Sequence, residues 1–225
     1  MKKPLSPIET WDRRKFLTGL GLGASAFLTP GAFAEALQLT PQSQEGPFFP
    51  DKLPLDTDND LIIINDSSTP ALGQVTHLSG TVRNLKGNPL RNALVEIWQV
   101  DNNSVYLHTE DTPKDKQDKN FQGYGRFSTD SKGRYYFRTI RPPSYPGRTP
   151  HIHFAVTQNN KRVLTSQLYV AQEQTANAKD FLYKRLGKDG QKLCTTPFKP
   201  LKNSPANELQ ARWNLIIGHT PEDHH

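Results

Sequence analysis

The sequence predicts an all-β fold, an antiparallel β-sandwich with long loops around its functional site. Three observations carry that expectation. Short stretches of alternating apolar and polar residues recur along the chain, the pattern of half-buried strands. Turns rich in Gly, Asn and Pro separate them. The 225 residues include 18 prolines and 15 glycines and are only 34 % hydrophobic, a loop-rich balance that does not suit a helical bundle.

Residues 1–34 read as a leader. The stretch "WDRRKFLTGLGLGASAFLTPGAFA" sets Arg13 and Arg14 ahead of an apolar run from Phe16 to Leu28 and closes on Ala32-Phe33-Ala34, a small-x-small cleavage site. The apolar run is too short to cross a bilayer as a helix, so an export signal is expected rather than a stable membrane anchor. Paired arginines followed by Lys15, Phe16 and Leu17 resemble the bacterial twin-arginine signal, which implies the twin-arginine export machinery as a partner and a periplasmic or extracellular location. Removing residues 1–34 takes away five cations and two anions and lowers the net charge from +6 to +3. A surface that weakly basic is no nucleic-acid footprint. Cys194 is the sole cysteine, so no internal disulfide can form.

Residues 35–73 read as an arm. "TPQSQEGPFFPDKLPLD" is full of turn formers, and "DLIIIN" offers one short apolar strand. Regular β signals begin at residue 74 and run to the end of the domain at 225, with the arm belonging to the same domain. "THLSGTVRN" and "ALVEIWQVD" flank a turn at Gly87, Asn88 and Pro89; "GRFSTD" and "GRYYFRTI" flank "SKG" as a hairpin; "HIHFAVTQ" and "VLTSQLYV" flank "NNKR" as another. Between the second and third strands lies the polar stretch "NNSVYLHTEDTPKDKQDKNFQGY", whose Lys114–Lys119 run is expected to be a solvated loop tip. Residues 172–192 have room for one short helix before Gly187, "ARWNLIIG" reads as a last strand, and His219, His224 and His225 read as a tail.

Chemistry gathers around "YPGRTPHIHF", residues 145–154. Side chains two apart on a strand share a face, so His151 and His153 can grip one metal ion. An isolated His-x-His is more often two half-buried imidazoles, and the neighbouring residues decide the matter. Tyr106 follows Trp98 by eight positions, Tyr145 comes 39 later, Arg148 stands three before His151, and Gln167 lies on the next strand. Trp98 is expected in the core, and His77 and His108 at the surface.

With this set, the chain resembles the intradiol ring-cleavage dioxygenases, and among them the protocatechuate 3,4-dioxygenase type. The resemblance runs from "TPQSQEGPFFP" through "DKNFQGYGRFSTDSKGRYYFRTIRP" to "SQLYV". It implies a non-haem iron(III) held by Tyr106, Tyr145, His151 and His153, with a hydroxide completing the shell. It also implies that Tyr145 is the ligand a catechol displaces, taking up one of its protons, that Arg148 stabilises the carbanion-like substrate, and that Gln167 lines the pocket. The partners implied are a small aromatic diol and O2, and the product a muconic acid. Phenolate oxygen is a hard anionic donor suited to ferric iron, so the chemistry is coherent by itself.

The turn between Tyr145 and Arg148, only Pro146 and Gly147, is shorter than in the protocatechuate type, which leaves the identity of the catechol open. Residues 35–73 are too short and proline-rich for the helical dimerisation segment of the catechol 1,2-type, and a homo-oligomer is left open. Two other readings stand beside this one. "GTVRNLKGNPLRNALVEIWQVD" also resembles transthyretin-like and carbohydrate-binding sandwiches, which would make the chain a non-catalytic binding module. A copper or zinc site on His-x-His lacks a third histidine in matching context.

Overall fold

A computed structural model describes residues 37–218 except 55, 66 and 112. The leader and the three tail histidines lie outside the described residues. The regular structure of the described chain is mostly strand, arranged in two five-stranded mixed sheets with a few short helices.

The first sheet is built around β1 (Val75–Asn84). One edge of β1 pairs antiparallel with β4 (Arg134–Ile140), in register from Val75↔Ile140 to Thr81↔Arg134. Its other edge takes β9 (Leu209–Arg212) and β10 (Leu215–Ile217), both parallel, with β8 (Lys199–Pro200) beyond β9. The second sheet runs β3 (Tyr124–Ser128), β2 (Leu94–Trp98), β5 (His151–Gln158), β6 (Lys161–Val170) and β7 (Thr195–Thr196). All its pairings are antiparallel except β6 with β7.

Both sheets feed one apolar core. Leu78, Val82 and Phe137 from the first meet Val95, Ile97, Ile152, Phe154 and Leu168 from the second in a single cluster. Rings of the two sheets touch: Phe154 lies 4.8 Å from Trp213 and 5.9 Å from Tyr135.

Several sequence expectations need correction. The fold is mixed rather than purely antiparallel, because the C-terminal chain runs alongside β1 in the same direction and β7 does the same beside β6. The stretch around "SKG" is a tight turn closed by Asp130, which accepts from Lys132 N and Arg134 N, but β3 and β4 do not pair; each already has a partner in its own sheet. The same holds for β1 and β2. Only β5 and β6 form the expected hairpin.

"DLIIIN" forms no strand. Asp56, Asp58 and Asp60 each accept from a backbone N–H two residues on, which winds the segment into successive turns, and a lone bridge joins Asp60 to Arg138. The turns deliver Leu61 and Ile62, both 0 % exposed, into the main core. The Lys114–Lys119 run is anchored at Asp118, a buried carboxylate that accepts from Leu72 N at 2.7 Å.

One helix was expected in 172–192 and three short ones are present: α1 (Gln174–Lys179), α2 (Phe181–Arg185) and α3 (Gly187–Leu193). The joint between α1 and α2 is Asp180, whose side chain accepts from Tyr183 N. "ARWNLIIG" is two strands, β9 and β10, parted at Trp213 and Asn214. Among the described residues no helix is long and apolar enough to cross a membrane.

Candidate metal centre

Strand β5 is buried on both faces. Ile152, Phe154 and Val156 enter the main core, while His151, His153 and Ala155 face the other way. A second cluster of Trp98, Val100, Tyr106, Tyr124 and Ala155 covers that opposite face, with Phe48, Phe49, Leu107 and Tyr145 packed on it. The alternation read from "HIHF" thus separates a core face from a site face.

Each site residue has a local reason for its place. The register sets His153 between Trp98 on β2 and Gln167 on β6, and the Trp98 ring stacks on the His153 imidazole at 4.9 Å and 13°. Tyr106 sits on the loop after β2, which folds over the buried Asp101 carboxylate: this accepts from Asn103 N, Val105 N and Asp118 N. Phe48 from the arm stacks on the Tyr106 ring at 5.4 Å. Although its loop is polar, tertiary packing buries Tyr106, which is 2 % exposed. Tyr145 and Arg148 bracket a β-turn closed by Arg148 N donating to Tyr145 O at 2.9 Å. Pro146 takes the second place and Gly147, with φ +79°, the third, where only a positive φ completes a type II turn. The short "YPGR" is therefore a tight turn that brings Tyr145 and Arg148 together.

Four donor atoms converge. Tyr106 Oη lies 3.0 Å from His153 Nε2, 3.4 Å from His151 Nε2 and 3.4 Å from Tyr145 Oη, and the two Nε2 atoms are 3.2 Å apart. Two ligand atoms each about 2 Å from one ion stand about 3 Å apart, so this spacing fits a shared cation. His151 Nδ1–H donates to Thr149 O at 2.6 Å, which turns the Nε2 lone pair toward Tyr106. Burial, then the nearby Arg148, depresses His151 to a pKa of about 3; burial, His151 and Arg148 hold His153 well below its ordinary value. Burial raises the Tyr106 phenol well above its ordinary range, reinforced by Tyr145, and burial also raises Tyr145 although Arg148 opposes it. Without a cation the cluster is two neutral imidazoles and two neutral phenols. A cation held by these four atoms would reverse this for the phenols by favouring their ionised form.

Arg148 closes one side. Its Nε donates to Asp180 Oδ2 at 2.8 Å, one terminal nitrogen donates to Gln167 Oε1 at 2.6 Å, and the other lies 3.5 Å from Tyr145 Oη. Gln167 is buried rather than water-facing; its oxygen also accepts from Tyr169 OH and its nitrogen donates to Gln44 O. The structure thus brings together Tyr106, Tyr145, Arg148, His151, His153 and Gln167. Asp180, Thr149 and the Trp98 ring escaped the sequence reading as site residues. An aspartate just before a helical run is a capping signal, and that was the one available pointer to Asp180.

His77 and His108 stay apart, half-buried: His77 bonds Tyr136 OH at 2.6 Å, and His108 packs edge-on to Phe48. Among the described residues no three His, Cys, Asp or Glu side chains are grouped to hold a metal, so the copper or zinc alternative has no third ligand of those types there.

Comparison with known proteins decides the family. A family model described as dioxygenase matches residues 44–218, well over half of the chain. The chain belongs to the intradiol dioxygenase family. Among intradiol dioxygenases, the protocatechuate 3,4-dioxygenase beta chain of Burkholderia cepacia is 42 % identical over 92 residues, covering 38 % of this chain and 39 % of the relative. The catechol 1,2-dioxygenase of Acinetobacter baylyi is 30 % identical over 174 residues, covering 67 % of this chain and 54 % of the relative. The chain therefore spans about half or less of the length of these curated relatives. Among solved structures, the dioxygenase domain of a dioxygenase carbohydrate-binding fusion from Streptomyces sp. SirexAA-E superimposes with a TM-score of 0.61 at 28 % identity, covering 80 % of this chain and 99 % of that one. An intradiol ring-cleavage dioxygenase from Tetranychus urticae shares the fold, with a TM-score of 0.63 at 22 % identity over 83 % of this chain and 98 % of that one.

Proposed function

We propose that the protein is a non-haem iron(III) intradiol dioxygenase that cleaves a catechol-type ring between its two hydroxylated carbons. One observation carries this reading: Tyr106, Tyr145, His151 and His153 converge to within 3.0–3.4 Å beside a half-buried arginine. Bound there, iron(III) would supply the Lewis acidity and one-electron chemistry that make a catechol reactive towards O2. Both oxygen atoms enter the product, so catechol and O2 balance to a muconic acid with no other co-reactant.

The chain's own residues have distinct tasks. Tyr106 and the two histidines are buried and held by packing, and they form the fixed part of the site. Tyr145 is only partly buried and sits on a turn whose tip residues, Pro146 and Gly147, are exposed. Its Oη is the atom placed to receive a proton from an entering catechol. Arg148 presents a permanent positive charge to the pocket where negative charge builds on the ring, and a planar guanidinium holds that position better than a flexible ammonium. Gln167 keeps one edge of it in place. The short turn leaves catechol, hydroxyquinol and protocatechuate all as candidate substrates. Residues 1–34 act in this reading as a twin-arginine leader that exports the folded, metal-loaded protein.

Oxygen uptake with catechol, hydroxyquinol and protocatechuate, on protein of measured metal content, tests the reading. We expect red-brown protein with stoichiometric iron, O2 consumed one for one with at least one diol, and a loss of about 10-fold or more in turnover for Tyr145→Phe. Colourless iron-loaded protein that consumes no oxygen would leave the binding-module alternative standing.

A further inference from the structure

We propose that Asp180 is a positioning residue for ring cleavage, fixing the Arg148 guanidinium at its Nε edge and, through Thr149, the ring orientation of His151. This rests on the function proposed above.

The arrangement starts from a difficulty. Arg148 has a long side chain on an exposed turn, yet its charge must stay beside Tyr145. A free arginine has many rotamers, and holding one of them requires partners at defined edges of the fork. Gln167 takes one terminal nitrogen. Asp180 takes Nε, on the side away from Tyr145, so that the remaining nitrogen points to the ligand cluster. An anion on that side anchors the cation without occupying its working edge.

Asp180 is itself rigid. Its side chain is 0 % exposed, and its backbone N–H bonds Ala176 O and Asn177 O at the end of α1. Its Oδ1 accepts from Tyr183 N and its Oδ2 from Thr149 N at 3.0 Å as well as from Arg148. With three donors on its two oxygens, one of them cationic, the buried carboxylate is satisfied as a structural anchor must be.

The contact to Thr149 extends the role. Thr149 is gripped at three atoms: N by Asp180, Oγ1 by Asn177 Oδ1 at 2.6 Å, and O by His151 Nδ1–H. The α1–α2 joint therefore sets the carbonyl that orients His151. Partners of this kind typically change affinity or activity by about 10- to 100-fold when removed.

Asp180→Asn is the test, in the full-length iron-loaded protein. Asparagine still caps α2 through its oxygen, so the fold is kept, but its NH2 then faces Arg148 Nε. We expect kcat to fall by about 10- to 100-fold with KM and iron content much less changed. We further expect Asp180→Asn to cost less on Arg148→Met than on the wild type, because the Arg148 part of its role is then already gone and only the Thr149–His151 part remains. Anaerobic catechol titration of the same proteins supplies a readout independent of turnover: binding should persist in Asp180→Asn. Asp180→Ser, which also caps α2, repeats the comparison if the Asn variant folds poorly. Wild-type kcat in these variants, or losses that multiply in full in the double variant, would overturn the positioning role. Absence of O2 uptake by the wild type would instead overturn the function on which it rests.

Discussion

A proline and a glycine decide where the second tyrosine meets the arginine. In sequence, "YPGR" looked too short for its family pattern; in space, Pro146 and Gly147 build a tight turn that sets the Arg148 fork 3.5 Å from Tyr145 Oη. Spacing along the chain, matched to the family pattern, named Tyr106, Tyr145, Arg148, His151, His153 and Gln167. It could not show that Gln167 is buried, which depends on the arm bringing Gln44 to it, nor point to Asp180, which is remote in sequence from Arg148 and Thr149. Burial alone would raise the Asp180 carboxyl, but the bonds from Tyr183 N–H, the Arg148 guanidinium and Thr149 N–H outweigh it and hold it below the usual carboxylate range. A depressed folded pKa means the unfolded chain binds the proton more readily. The stabilisation is thus present above the unfolded value, about 3.9, and is lost as pH falls below it. In denaturant titrations the stability gap between wild type and Asp180→Asn is expected to narrow as pH falls from 5 to 3; a gap that does not change would contradict the charged pairing.

At the scale of elements, period-two alternation located the strands but not their partners. It told correctly that β5 has two unlike faces, since Ile152 and Phe154 alternate with His151 and His153. It could not tell that β3 and β4 part into different sheets, because a turn such as "SKG" is compatible with a hairpin and with a crossover alike. The last strand shows the same limit. β9 and β10 follow β1 in one continuous offset, interrupted where Trp213 folds over Gly80. A Cβ on Gly80 would stand 1.7 Å from Trp213 O and 2.7 Å from Tyr135 OH, and Tyr135 OH itself donates to that carbonyl at 2.6 Å. Backbone, not a flexible side-chain tip, blocks the space. Gly80→Ala is expected to cost about 3 kcal/mol or more, read as a lowered midpoint in thermal unfolding, and an unchanged midpoint would show that the contact is not real.

The described chain is held by a main core and a smaller site cluster, and the arm contributes to both. Leu61 and Ile62 lie in it, Phe48 and Phe49 lie on the site cluster, and Gln44 bonds Gln167. In the function proposed above, residues 1–34 are a twin-arginine leader that exports the chain already folded. Replacing Arg13 and Arg14 together by lysine is expected to leave full-length protein in the cytoplasm of its host, measured by fractionation; normal export of that variant would refute the leader assignment. By itself, the sequence determined the β class and the family resemblance that names the proposed donors, because alternation, turn residues and motif spacing are local or short-range properties of a chain. Only the tertiary structure decided which strands pair, that the arm completes the core, that Tyr106 is buried, and that Asp180 stands behind Arg148. Those facts depend on packing between segments far apart in sequence, and no local pattern encodes which distant segment fills a given space.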